Sequence, residues 1–223
     1  MERVSLEGAN VREWTQILIK TIGFLKAGGI VVAPTDTVYG ILADVFNQKT
    51  LEKVFLVKGR NFNNPLPVFV DSFEMLERVA YVKNKAVEGF LIKSWPGKIT
   101  CVLPSRGWMP LEVREGSSPL ASDRLNIAVR IPNHSFLLEI IKRFGGPLTG
   151  TSANVSDKPG HTKISEVLSE WQTLNVDHRP DIIVDAGDLP ESLPSTVVDL
   201  TLWPPEILRQ GAVSEKELLS YIE

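Results

Sequence analysis

Gly28-Gly29-Ile30-Val31-Val32-Ala33-Pro34-Thr35-Asp36-Thr37-Val38-Tyr39-Gly40 is the stretch from which the rest of the chain can be read. The glycine pair ends one element. Ile30 to Ala33 is a short apolar run rich in β-branched residues, the pattern of a buried strand. Pro34 has no amide hydrogen and stops the ladder. Thr35, Asp36, Thr37 and Tyr39 then crowd four hydrogen-bonding side chains into five residues. Polar groups gathered where a buried strand ends point to a ligand site. The competing reading is a strand followed by a capped helix, with Thr and Asp as caps.

Upstream, Val11, Trp14, Leu18, Ile22 and Leu25 recur at spacings of three and four, which predicts a helix with Asn10 as N-cap and Gly28 just past its end. Downstream, Asn47 caps a predicted helix whose inner face is Leu51, Val54 and Phe55, with Val57 near its end; it runs into Lys58-Gly59-Arg60. Leu66 to Val70 reads as a strand, and Asp71-Ser72-Phe73-Glu74 as a capping box with Asp71 in the cap position. Residues 84–95 read as a helix and 99–103 as a strand. Pro104 to Asp123 reads as a long loop or irregular hairpin. Ile127 to Ile131 is a strand carrying Arg130, and 134–144 is a helix. Leu148 to Asn154 is a strand entering the polar turn Thr151-Ser152-Ala153-Asn154. Thr162 caps a predicted helix through Trp171. Strands follow at 182–184, 195–200 and 207–209, and Ser214 caps a short final helix. Helices and strands interleave, so the fold class is α/β, layered. No repeat or linker is visible, and residues 1–223 are expected to form one domain.

Composition narrows the function. The chain has 223 residues, 43% of them hydrophobic, and a formal charge of −3, which gives no global electrostatic case for nucleic-acid or membrane binding. Cys101 is the single cysteine and lies in an apolar run; the three histidines have no ligand spacing, so neither a disulfide nor a zinc site is expected. No signal peptide or membrane span is visible, which makes the cytoplasm the default.

Several residues carry chemistry. Lys58 and Arg60 are either cations placed at a helix C-terminus or a clamp for phosphate or carboxylate. Arg130 interrupts an apolar strand, where a guanidinium needs an anion; that anion is either a protein carboxylate or a bound one. Arg209 follows Ile207 and Leu208 in the same way. Thr151-Ser152-Ala153-Asn154 and Ser195-Thr196 offer small donors suited to close approach. There is no phosphate loop, dinucleotide fingerprint or nucleophile elbow, which argues against covalent catalysis.

Eight motifs occur in one order: Pro34-Thr35-Asp36-Thr37-Val38-Tyr39-Gly40, Lys58-Gly59-Arg60, Asn64-Pro65-Leu66, Ser94-Trp95-Pro96-Gly97, Ala128-Val129-Arg130-Ile131-Pro132, Thr151-Ser152-Ala153-Asn154, Ser195-Thr196-Val197-Val198-Asp199 and Arg209-Gln210-Gly211-Ala212. Together they resemble the YrdC family, the L-threonylcarbamoyladenylate synthases. The resemblance implies a twisted mixed β-sheet with flanking helices around a large concave cavity. It implies synthesis of threonylcarbamoyl-AMP from L-threonine, bicarbonate or CO2, and ATP, with release of pyrophosphate. The product serves N6-threonylcarbamoylation of adenosine 37 in tRNA, through downstream proteins that transfer the group. By the same resemblance Thr37, Arg130 and Ser195 hold threonine, with Phe69 on the pocket wall where many relatives have histidine. Arg60, Asn64, Ser152 and Arg209 hold ATP, with Lys58 and Asn154 beside it. Lys58, Arg60 and Arg130 act by positioning and charge, and Mg2+ is bound through the phosphates without protein ligands. Some relatives carry an extra C-terminal domain, whereas this chain resembles the minimal form. Two other readings stay open. One is a double-stranded RNA or tRNA-binding module without catalysis; weak RNA binding is also compatible with the enzyme. The other is a carbamoyl-adenylate-processing domain, against which the single cysteine stands.

Overall fold

The computed structural model describes residues 1–115, 125–156 and 158–222. Strand β1 (Glu2–Ser5) opens the chain, and helix α1 (Val11–Lys26) leads into β2 (Val31–Ala33), which is buried at every position. β2 is central to a sheet of order β1-β10-β2-β3-β9, completed by β3 (Gly40–Leu42), β9 (Thr151–Ser152) and β10 (Ile182–Asp185). A strand covered on both faces has no polar side to show, which is why it reads as a continuous apolar run. β1, β10 and β2 run parallel; β2, β3 and β9 run antiparallel.

The mixed β-structure with flanking helices that the resemblance implies is present, built as two mixed sheets. The second has the order β12-β11-β5-β7-β4-β8, formed by β12 (Glu206–Arg209), β11 (Thr196–Asp199), β5 (Ile99–Pro104), β7 (Asn126–Arg130), β4 (Val68–Phe69) and β8 (Leu148–Thr149). A further short strand, β6 (Arg114–Glu115), pairs with β7. The chain passes from one sheet to the other across Gly150, between β8 and β9. On one side of that crossing Thr149 N–H donates to Ala43 O at 2.9 Å, and at it Gly150 N–H donates to Pro67 O at 2.7 Å. The ring of Phe69 lies flat on this backbone: a Cβ on Gly150 would sit 2.9 Å from the ring carbon Cδ1. Only a residue without a side chain makes the crossing while Phe69 keeps its place.

The helices cover the outer faces. α1 begins with a reciprocal capping box between Asn10 and Glu13 and buries Leu18, Thr21, Ile22 and Leu25. Trp14 meets Phe136 of α5 (Ser135–Phe144) edge to face, with ring centroids 5.3 Å apart. Each buried aliphatic side chain here contributes about 1.5–3 kcal/mol against about 1 kcal/mol for a cap, so Leu18, Ile22 and Leu25 together outweigh the cap and packing sets the position of the helix. α2 (Gln48–Lys58) is capped by Asn47 and closed by Gly59 in the left-handed conformation. α3 (Phe73–Val79), α4 (Lys85–Ser94), α6 (Ile164–Gln172) and α7 (Glu215–Ile222) complete the set of α-helices among the described residues.

Several expectations need correction. The polar loop 34–39 is the turn of the β2–β3 hairpin and leads into no helix. Ser72, not Asp71, caps α3; its Oγ accepts from Met75 N–H at 3.2 Å, while Asp71 accepts the Ser72 hydroxyl. Thr162 does not cap α6, whose first amide, Ile164 N–H, is taken by Asp188 Oδ1 at 3.1 Å. β1 and β3 escaped sequence reading. β1 is four residues of alternating exposure with two charges, and is stable only because β10 pairs with it and Asp185 takes Arg3. Of the expected loop 104–123, residues 116–123 lie outside the described residues.

Gly150→Ala is expected to overpack the crossing and to cost about 1–3 kcal/mol in urea unfolding. Combining it with Phe69→Leu should recover part of that loss. Additive losses would show that the ring is not what excludes the methyl group.

Candidate functional site

The two sheets face each other across a cleft of about 290 Å³, adjoining a hollow of about 500 Å³ that shares Arg60, Ser152, Pro194 and Arg209 with it. The second sheet supplies one wall, by alternation along β5 and β7. Val197 is registered on Thr100 and on Arg209, Val102 on Ala128, and Phe69 on Arg130. These residues line the cleft, while the intervening Cys101, Leu103, Ile127 and Val129 are buried in the core. The other wall is the β2–β3 hairpin with β9, which contributes Thr37, Gly40 and Ser152.

The structure brings all ten sequence-derived residues to this one place. Thr37, Arg130, Ser195 and Phe69 line the cleft, as do Arg60, Asn64, Ser152 and Arg209. Lys58 and Asn154 line the adjoining hollow. Their local bonds are not what the sequence led one to expect.

Arg130 already has its anion. Nη2 pairs with Asp36 of the hairpin, Nη1 donates to Thr37 Oγ1 at 3.2 Å and Nε to Gly97 O at 2.8 Å. Its guanidinium carbon lies 5.7 Å from the centroid of the Phe69 ring, within cation–π reach. Burial pushes the Arg130 pKa down, and Asp36 pulls it back. Sequence reading placed Asp36 in the polar loop without giving it a role. The signal was the need of Arg130 for an anion, but spacing in the chain does not say which carboxylate folds against it.

Lys58 is the last residue of α2 and is 1% exposed. It is therefore not a solvated helix-end cation. Its ammonium donates to Ser152 O at 2.6 Å and Asn154 O at 2.7 Å, while Lys58 O accepts Ser156 N–H at 2.8 Å. The helix end and the turn after β9 are thus clasped together. Burial, helped by the like charge of Arg60 and opposed by Glu170, lowers the Lys58 pKa from 10.5 to about 7. Asn154 Nδ2 bridges Val155 O and Lys158 O, both at 2.7 Å, and so shapes this turn.

Arg60 folds its own loop, with Nε donating to Asn64 O at 2.8 Å and Nη2 to Pro65 O at 3.0 Å. Arg209 Nη2 donates to Ser195 O at 2.7 Å, and Ser195 Oγ pairs with Thr100 Oγ1 at 2.7 Å. Burial and then the charge of Arg130 lower the Arg209 pKa, a mark of two guanidiniums facing one space. Both stay protonated at any working pH. Tyr39 lines the cleft, but its hydroxyl is engaged elsewhere. Its hydroxyl donates to Gly187 O and accepts from Ala186 N–H, and burial pushes its pKa up to about 12. Thr35 Oγ1 donates to Val38 O and so sets the hairpin turn. Among the described residues no group of three His, Cys, Asp or Glu could hold a metal ion, and no helix is long and apolar enough to cross a membrane.

Three arginines and a buried lysine thus stand around a cleft between two sheets, a donor set with the charge and geometry to hold a small anionic ligand. The family Sua5_yciO_yrdC, described as Telomere recombination, matches residues 23–211, and the chain belongs to it. A threonylcarbamoyl-AMP synthase of Pyrococcus abyssi is 34% identical over 208 residues, covering 93% of this chain and 57% of that protein. One of Bos taurus is 34% identical over 215 residues, covering 91% of this chain and 70% of that protein. This chain thus spans little more than half of the archaeal relative. The crystal structure of P. abyssi Sua5 complexed with L-threonine superposes with a TM-score of 0.83 at 32% identity, covering 99% of this chain and 60% of that one. Escherichia coli YciO has a TM-score of 0.79 at 18% identity, covering 97% and 98%, a likeness of fold alone.

The Lys58 clasp has a pH signature. Between pH 7 and 10.5 the unfolded chain holds the Lys58 proton more tightly than the folded one, so stability gains with rising pH in that window and not below it. The stability difference between wild type and Lys58→Met should therefore grow above pH 7, by at most about 1.4 kcal/mol per unit, and level off below about pH 6. Urea unfolding of both proteins at several pH values measures it. A difference independent of pH would mean that Lys58 does not titrate in this range.

Proposed function

We propose that this chain makes L-threonylcarbamoyl-AMP from L-threonine, bicarbonate or CO2, and ATP, releasing pyrophosphate, for the modification of tRNA. The observation that supports it most directly is that the cleft adjoins a second, cation-lined hollow. Arg130, Thr37, Ser195, Phe69 and Asn64 line the cleft, Arg60, Ser152 and Arg209 line both spaces, and Lys58 lines the hollow. The reading gives the end of the cleft at Arg130 to the amino acid and the end toward the hollow to the polyphosphate. The P. abyssi protein that matches over most of this chain was crystallised with L-threonine, which agrees with threonine as a substrate.

The chemistry asks for no protein nucleophile. The neutral amine of threonine forms a C–N bond to CO2 and loses a proton, giving an N-carboxylate. One carboxylate oxygen then attacks the α-phosphorus of ATP, the bond to the β-phosphate oxygen breaks, and pyrophosphate leaves. The tasks of the protein are alignment and charge stabilisation. The two N–H groups of Arg130 left by its internal partners match a substrate carboxylate. Arg60, Arg209 and Lys58 offset the charge that collects on the leaving pyrophosphate. Lys58 adds its third N–H when protonated, and nearby phosphates favour that form. The cleft offers cations rather than a carboxylate set, so Mg2+ would enter with the nucleotide, held by its phosphates and neutralising part of their charge. The setting is the cytoplasm, with proteins that pass the threonylcarbamoyl group to tRNA as partners.

Incubation with ATP, bicarbonate and labelled threonine should yield threonylcarbamoyl-AMP and pyrophosphate in equal amounts by mass spectrometry. ADP and orthophosphate as stoichiometric products would overturn the reading.

Substitutions divide the two ends. Arg130→Lys keeps the charge and loses the planar fork, and should weaken threonine binding by about tenfold or more, with ATP binding little changed. Arg60→Ala should weaken ATP binding by roughly 1.5–3 kcal/mol and spare threonine. Calorimetric titration of each ligand into each variant tells these apart. Equal effects on both ligands would contradict the division.

A further inference from the structure

The amino-acid end of the cleft is electrically different from the rest. Arg130 and Asp36 are 4% and 8% exposed and face each other as a buried ion pair, one from each sheet. Together they are neutral. Nε, one hydrogen of Nη1 and one of Nη2 of Arg130 are used by Gly97, Thr37 and Asp36. One N–H remains on each terminal nitrogen, so donor capacity is left for a ligand carboxylate. Asp36 is only half satisfied. Its Oδ1 takes Arg130, while Oδ2 is buried with no hydrogen-bond partner among the described residues. The other titratable group near it, His134, caps α5 through Nδ1 and is kept neutral by burial, against the pull of Asp36. An unpartnered carboxylate oxygen is costly, and a cation brought close to it lowers that cost.

Resting on the activity proposed above, we propose that Asp36 determines specificity: its carboxylate balances the charge of Arg130, so that the pair takes a zwitterion, with the ligand carboxylate on Arg130 and the ligand ammonium in the field of Asp36, and discriminates against simple carboxylate anions. Without Asp36, Arg130 would be a buried cation lacking an anion, and any small carboxylate would supply one. Such an anion would occupy the site with no amine to be carboxylated. Selection of the ammonium is thus selection of the nitrogen that, once it has given up a proton to solvent, the first step carboxylates. Asp36 does this from behind Arg130 and the hairpin turn, at the point where the two sheets meet.

The test is a ratio of affinities. L-Threonine and (R)-3-hydroxybutyrate share the carboxylate and the β-hydroxyl and differ by the ammonium. Titrated into the wild-type protein, threonine should bind at least about tenfold more tightly, since a charge pair at about 5 Å with an effective dielectric near 20 is worth that much or more. In Asp36→Asn the ratio should fall to within about threefold, while Asp36→Glu should keep most of it. Parallel weakening of both ligands in Asp36→Asn, with the ratio unchanged, would overturn the proposal and leave Asp36 a structural residue. If Asp36→Asn does not fold, the wild-type ratio decides, because equal binding of the two ligands overturns the proposal by itself. Threonine binding with the wrong ratio spares the proposed activity, whereas absence of threonine binding by the wild type overturns that activity as well.

Discussion

The buried pair of Arg130 and Asp36 is the interaction on which the site depends. A guanidinium in an apolar strand and a carboxylate at the tip of a hairpin are each intolerable alone, and removing one partner of such a pair leaves the other uncompensated. Each therefore requires the other, and the requirement crosses from the second sheet to the first. The hairpin turn is held by Thr35 through Val38 O, so Asp36 is presented by a preset loop rather than a mobile one. Thr37, next in the chain, takes a further N–H of the same guanidinium. The floor of the cleft is therefore one bonded unit made from two distant parts of the sequence.

Around that unit, cations are fixed before any ligand arrives. Lys58 clasps the turn after β9, Arg60 closes the loop before β4, and Arg209 is anchored to Ser195 O. Each spends part of its donor capacity on backbone carbonyls. This lowers the entropy lost when a ligand binds and orients the remaining donors, the form of preorganisation that charge stabilisation needs. The cost is visible in the lowered pKa values of Lys58 and Arg209, which measure how far these charges have been drawn out of water. In the proposed reaction, ATP restores to them the counter-charge that the fold withholds.

Much of this was legible in the chain. Arg130 in an apolar run announced a buried charge, and the polar residues after Pro34 and at Thr151 to Asn154 announced two loops of small donors. Strand and helix periodicity placed most elements, because burial imposes a period of two or of 3.6 on the residues that meet the core. What failed was short or local. β1 and β3 are too brief to show a period, and the caps of α3 and α6 were decided by neighbours, Ser72 and Asp188, that compete for the same amides. Tyr39 does line the cleft, but its hydroxyl serves as a strut, since it meets Gly187 far along the chain.

The sequence by itself determined the alternation of helix and strand and the positions of the charged side chains within it. These follow from residue type and spacing, which act over a few positions. Only the tertiary structure decided that the sheet is two sheets, that Lys58 is buried as a clasp, and that the anion beside Arg130 is Asp36. Those outcomes rest on contacts between residues some ninety positions apart, Asp36 with Arg130 and Lys58 with Ser152 and Asn154. A charge declares in the sequence that it needs a partner, but the choice of partner is made by geometry, when the core closes and leaves one carboxylate or one pair of carbonyls within reach.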